Sequence, residues 1–117
     1  MTSEELKQRT KDFAKRVLKV VDALPSSIKG RAIGNQLVRS GTSVAANYRA
    51  ACRGRSKAEF AAKLGIVIEE ADESALWLEL IMEDGILKSP LVEPLLSEAN
   101  EIVAIMTASR KTACKKR

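Results

Sequence analysis

Apolar residues recur every three or four positions through four stretches of the chain, the spacing of one buried face of an α-helix. In the first stretch Leu6, Phe13, Val17, Val20, Val21 and Leu24 form the stripe. Thr2 and Glu5 stand at capping-box spacing before it, and Pro25 closes it. In the second, Ile33, Leu37, Gly41, Val44 and Tyr48 share one side, with Ser40, Ser43 and Asn47 as a narrow polar stripe beside them. Gly54 suits the position just past its end. Ser56 to Glu59 is a second capping box, and Phe60, Leu64, Val67, Ile68, Ala71, Ala75, Leu78 and Met82 follow at helical spacing. After a turn at Gly85, Ser89 and Pro90 suit the N-cap and first position of a fourth helix, and Pro94 is expected to delay its regular part by a turn. Its buried positions are Leu91, Leu95, Ile102, Val103 and Met106. The pattern predicts helices over about 3–24, 28–53, 57–83 and 90–109, then a frayed basic tail over 110–117. A chain of 117 residues with four helices and short links is one domain, an all-α antiparallel up-down-up-down four-helix bundle.

The third helix carries a second stripe. Ile66, Trp77 and Leu80, with Ala62, lie opposite the core stripe and alternate with Glu69 and Glu73. A helix apolar on two sides is buried on two sides, and a four-helix bundle covers only one of them. The second stripe is therefore a candidate subunit interface of a homo-oligomer, unless Trp77 covers a helix–helix seam within the subunit.

Composition supports helices: hydrophobic residues are 45 % but aromatics only 3 %, so Leu, Ile, Val and Ala must build the core. Charge adds a polarity. Residues 1–57 hold thirteen basic against four acidic residues, net +9; residues 58–106 hold two against eleven, net −9; residues 107–117 add five basic ones. Between Leu24 and Ala58 there is no acid, while Lys29, Arg31, Arg39, Arg49, Arg53, Arg55 and Lys57 are all positive. Arg31, Arg39, Arg49 and Arg53 fall within an arc of roughly 80° on the second helix, opposite its apolar stripe. A solvated face normally mixes signs, so this one points to an anionic partner, with Arg31, Arg39, Arg49, Arg53, Arg55 and Lys57 as candidate nucleic-acid contacts. A neighbouring subunit's acidic stripe on the third helix could meet the same positive charge, a heterologous contact of the kind that closes rings.

Other chemistry has little to stand on. The chain has no His and two cysteines, Cys52 and Cys114, so neither a zinc ligand set nor a disulfide framework is expected. Glu69, Glu70, Asp72 and Glu73 lack the Glu-x-x-His partners of a di-iron centre. Ser43 has no base, and no phosphate-binding loop is present. The expectation is a non-enzyme with no cofactor and no metal. The first residues are charged without an apolar core, and no run approaches a membrane span, so a cytoplasmic protein that does not engage membranes is expected.

The run QLVRSGTSVAANYRAACRGRSKAEFAAKLGIVIEEADESALWLELIMEDGIL resembles the four-helix bundle family of proteins encoded in 23S rRNA intervening sequences, to which the accessory protein of diversity-generating retroelements is related. The likeness rests on Arg39-Ser40, Ser43, Asn47, Ser56, Glu59-Phe60 and the Glu-Ala-Asp-Glu-Ser and Trp-Leu-Glu-Leu runs. It implies a ring-shaped homopentamer that associates with RNA or DNA through basic surface, and no catalytic residues to carry over. Ser43 and Asn47 then serve as polar groups of bundle packing. A protein-binding scaffold, with the arginines used only between subunits, is the alternative.

Overall fold

The computed structural model describes residues 1–115 and holds four helices: α1 (Ser3–Ala23), α2 (Ile28–Cys52), α3 (Lys57–Glu83) and α4 (Ser89–Cys114). Each packs on its neighbours in chain order, α4 closes back on α1, and the backbones of the diagonal pairs stay further apart. The result is an antiparallel bundle of 51 × 20 × 19 Å. Its least extensive seam lies between α1 and α4.

The helix ends are set locally. Thr2 and Glu5 form the complete capping box, each side chain accepting the other's backbone N–H. Ser27 and Ser56 cap α2 and α3 through the N–H groups of Gly30 and Glu59. The box at α3 is only half made, because Glu59 accepts the N–H of Arg55 rather than that of Ser56. α3 stops where Gly85 turns to φ +65°, letting Ile86 N–H reach the Ile81 carbonyl and Gly85 N–H that of Met82. Gly54, in contrast, has no positive φ. A side chain there would press on the Ala51 carbonyl and the Phe60 amide where the chain turns into α3.

Leu6, Phe13, Val17, Leu37, Val44, Tyr48, Leu64, Val67, Leu78, Ile81, Ile102 and Met106 belong to one continuous core. Three features of α4 depart from the sequence reading. α4 begins at Ser89 itself, so the N-cap position falls to Lys88, whose side chain makes no capping hydrogen bond, and the helix runs unbroken through Pro94 to Cys114. Pro94 is exposed near the helix start and withholds only the N–H that would reach Pro90, so it delays nothing. At the other end Arg110 and Lys111 are helical rather than part of a frayed tail. The Arg110 Nε donates to the Ala61 carbonyl at 3.2 Å, and its guanidinium passes over Gly65, where a Cβ would meet it at ordinary contact distance. Lys116 and Arg117 of the expected tail lie outside the described residues. The third departure is Leu91, which is 61 % exposed. The buried face of α4 is Val92, Leu95, Ala99, Ile102 and Met106, alternating steps of three and four. Leu91 sits one residue out of that phase.

Candidate nucleic-acid interface

The six basic residues singled out from sequence share a side of the chain but not one patch. All six are exposed. Arg31 stands near the start of α2, where its guanidinium donates to the Ser26 carbonyl at 2.7 Å. Arg49 is eighteen residues further on, roughly 27 Å along the helix axis at 1.5 Å per residue. Arg39, between them, reaches across to α3, with its Nη2 3.5 Å from Glu73 Oε1. Arg49, Arg53, Arg55 and Lys57 gather at the α2–α3 corner, and among the described residues no acidic side chain pairs with any of them.

The fold enlarges that corner. Arg110 bonded to Ala61 places the last turns of α4 beside the first turns of α3, so Lys63, Lys111 and Lys115 join the same end of the bundle. Ser3 of α1 shares a shallow groove there with Cys52, Gly54, Arg55, Ser56, Lys57 and Phe60. Residues 45–66 and 105–115, which make this end, contribute eight basic side chains and one acid, Glu59. Glu4 and Glu5 stand at the same end of α1: Glu4 is paired with Lys7, and Glu5 is held by Thr2, whose hydrogen bonds lower its pKa below the ordinary value. The opposite end, residues 15–35 and 76–96, carries six basic and five acidic residues and is nearly neutral. Lys63, Lys111 and Lys115 were not among the sequence-derived candidates. Their signal is the helical register of α4, which brings the basic C-terminal segment to α3 once the helix is seen to continue past residue 109.

The acidic-apolar stripe of α3 is present but differs in detail. Ile66 and Leu80 are each 37 % exposed, and Leu76, which the sequence reading left out, is 46 % exposed. Glu69 is exposed and Glu73 half-buried. Trp77 is half-buried and packed against the core, with its indole N–H 3.4 Å from Glu73 Oε1. Trp77 is thus only partly available at the surface, while Ile66, Leu76 and Leu80 form the outward apolar face.

The polar stripe of α2 is structural. Ser40 and Ser74 are fully buried and hydrogen-bonded to each other at 2.9 Å across the α2–α3 seam, and Ser74 also donates to the Glu70 carbonyl. The Asn47 side-chain amide donates to the Ser43 carbonyl, and Ser43 is half-buried. Tyr48 is buried, and burial, with Cys52 close by, pushes its phenol pKa well above the ordinary value. Among the described residues no three His, Cys, Asp or Glu side chains converge as metal ligands, and no helix is long and apolar enough to cross a membrane.

No curated protein matches the chain. A solved structure does, a protein of unknown function from the S23 ribosomal protein family of Bacteroides thetaiotaomicron VPI-5482. It is 31 % identical, with a TM-score of 0.84 over 90 % of this chain and 97 % of that one. The family model for the 23S rRNA-intervening sequence protein matches residues 3–108. That match spans all but the last turns of the four-helix bundle, and the chain belongs to the 23S rRNA-intervening sequence protein family.

Proposed function

We propose that this protein is a non-enzymatic, cytoplasmic homo-oligomer that binds RNA or DNA through the basic end of its bundle. The observation that carries the reading is the cluster of Arg49, Arg53, Arg55 and Lys57, exposed and without an acidic partner among the described residues. Like charges crowded on rigid helix ends repel one another, and polyanion phosphates relieve that repulsion. Arg39 and Arg31 contribute less, since Glu73 partly neutralises the first and the second stands at the far end. The oligomer, a pentameric ring by family resemblance, is built on the outward α3 face of Ile66, Glu69, Glu73 and Leu80 with Leu76, while Trp77 supports that face from beneath.

The test is light scattering on the purified protein with and without a mixed RNA, at low and moderate salt. An oligomer that binds RNA at low salt and releases it intact as salt rises supports both halves of the reading. A second reading, a protein-binding scaffold, is favoured by Leu76 and Leu80, which are exposed one turn apart on an acidic face. An oligomer that ignores RNA at low salt would select it.

A further inference from the structure

Resting on that reading, we propose that the basic end takes double-stranded nucleic acid, held by its phosphates, in preference to a single strand. The first argument is charge density. The bundle's cross-section is 20 × 19 Å, and its basic end presents eight cationic side chains to one acid outside α1. Duplex carries one negative charge per about 1.7 Å of axis, twice the density along either strand, so a face about 20 Å wide lies along roughly twelve phosphates. A single strand brings fewer anions to the same footprint.

The second argument is the want of a stacking surface. Proteins that hold single strands do so largely by stacking bases on aromatic rings, worth about 1–3 kcal/mol per base. Of the four aromatic residues, Phe13 and Tyr48 are buried, and Trp77 lies with Glu73 on the acidic part of α3. Phe60 is the aromatic that lines the groove at the basic end, and it is packed against the core. The third argument is rigidity. Arg49 stands in the last turn of α2, Lys57 in the first of α3 and Lys111 in the last of α4, so the backbone positions that carry these charges keep fixed separations that suit a stiff array of phosphates. Asn47, the nearest amide side chain on α2, is engaged with the Ser43 carbonyl. Binding is therefore indifferent to base sequence, and duplex RNA and duplex DNA are both accepted.

The experiment is fluorescence anisotropy of the full chain with a labelled duplex of about 20 base pairs, as RNA and as DNA, and with each of its separated strands, across a salt series. The duplexes are expected to bind about tenfold or more tighter than the strands, with a steep fall in affinity as salt rises. The double variant Arg53→Glu/Lys57→Glu, shown to be helical by circular dichroism, should lose most of the duplex affinity, while Lys19→Glu should keep it. Equal or tighter binding of single strands overturns the duplex preference and leaves the nucleic-acid reading standing. Duplex binding that survives the double variant overturns the assignment to this end. No binding of either form at low salt overturns both.

Discussion

Arg9 and Glu98 join α1 to α4 by two parallel hydrogen bonds, Nε to Oε2 and Nη2 to Oε1, each 2.7 Å long. Glu101 adds a longer contact to the same guanidinium at 3.2 Å. The pair spans the least extensive seam of the bundle, and both side chains are largely shielded, at 25 % and 14 % exposure. Such a fork is stronger and more directional than an ordinary surface ion pair. The hydrogen bonds that Arg9 donates to Glu98 also raise the pKa of Arg9 further above its already high value. Glu98→Gln is expected to lower stability by about 1–3 kcal/mol. Arg9→Lys should recover little of what Arg9→Ala loses, because one ammonium cannot replace two parallel donors. Urea titrations that show unchanged midpoints for these variants would refute the clamp.

Gly41 lets α2 lie directly on Val17. A Cβ there would stand 2.7 Å from both Val17 methyl carbons, and Val17 is fully buried with no room to turn aside. Alanine normally improves a helix by roughly 1 kcal/mol over glycine. Here Gly41→Ala is expected to cost about 1–3 kcal/mol through overpacking. Val17→Ala alone leaves a cavity, but the double variant should be more stable than the two single losses summed, a coupling that a double-mutant cycle reads directly.

Tyr48 makes the bundle sensitive to alkali. Its neutral phenol is favoured chiefly by burial, so its pKa in the folded chain lies above the ordinary 10.0. The unfolded chain ionises near that ordinary value. The contribution to stability is therefore complete below pH 10 and lost as pH climbs above it. Because Tyr48 is the sole tyrosine, tyrosinate absorbance should rise together with loss of helix rather than ahead of it. Tyr48→Phe should remove this part of the alkaline destabilisation.

Arg39 is expected to matter little for either stability or nucleic-acid affinity. Its contact with Glu73 is 3.5 Å and largely solvated, worth less than about 1 kcal/mol. It stands roughly 20 Å along the helix from Arg53. Arg39→Ala should shift RNA affinity far less than Arg53→Ala in the same anisotropy assay. Equal losses would move the binding surface to the middle of α2.

The outward face of α3 gives a separate readout. Leu76→Asp with Leu80→Asp places two charges on exposed positions, so folding should persist while any assembly through this face dissociates to monomers in light scattering. An oligomer unchanged by the pair would place the subunit contact elsewhere.

Most of the fold was legible because it rests on local chemistry. The caps at Thr2 and Ser56, the stop at Gly85 and the three-and-four spacing of Leu64, Val67, Ala71, Ala75 and Leu78 are all settled within a turn or two of chain. Where the reading missed, a distant residue decided. Pro94 looked like a late start, yet a proline near a helix start withholds only one hydrogen bond. The segment after Ser109 looked frayed until α3 supplied Arg110 with a carbonyl and a glycine to lie across.

By itself the sequence determined the four helices, their buried stripes and the segregation of charge along the chain. Helical periodicity and capping are short-range effects that need no partner. The tertiary structure alone decided which charges are neighbours. It paired Arg39 with Glu73 and packed Trp77, half-buried, against the core. It also carried Lys63, Lys111 and Lys115 to the end that Arg53 and Lys57 occupy. The antiparallel packing of α2, α3 and α4 brings together residues some fifty positions apart, and electrostatic interaction depends on distance in space rather than along the chain.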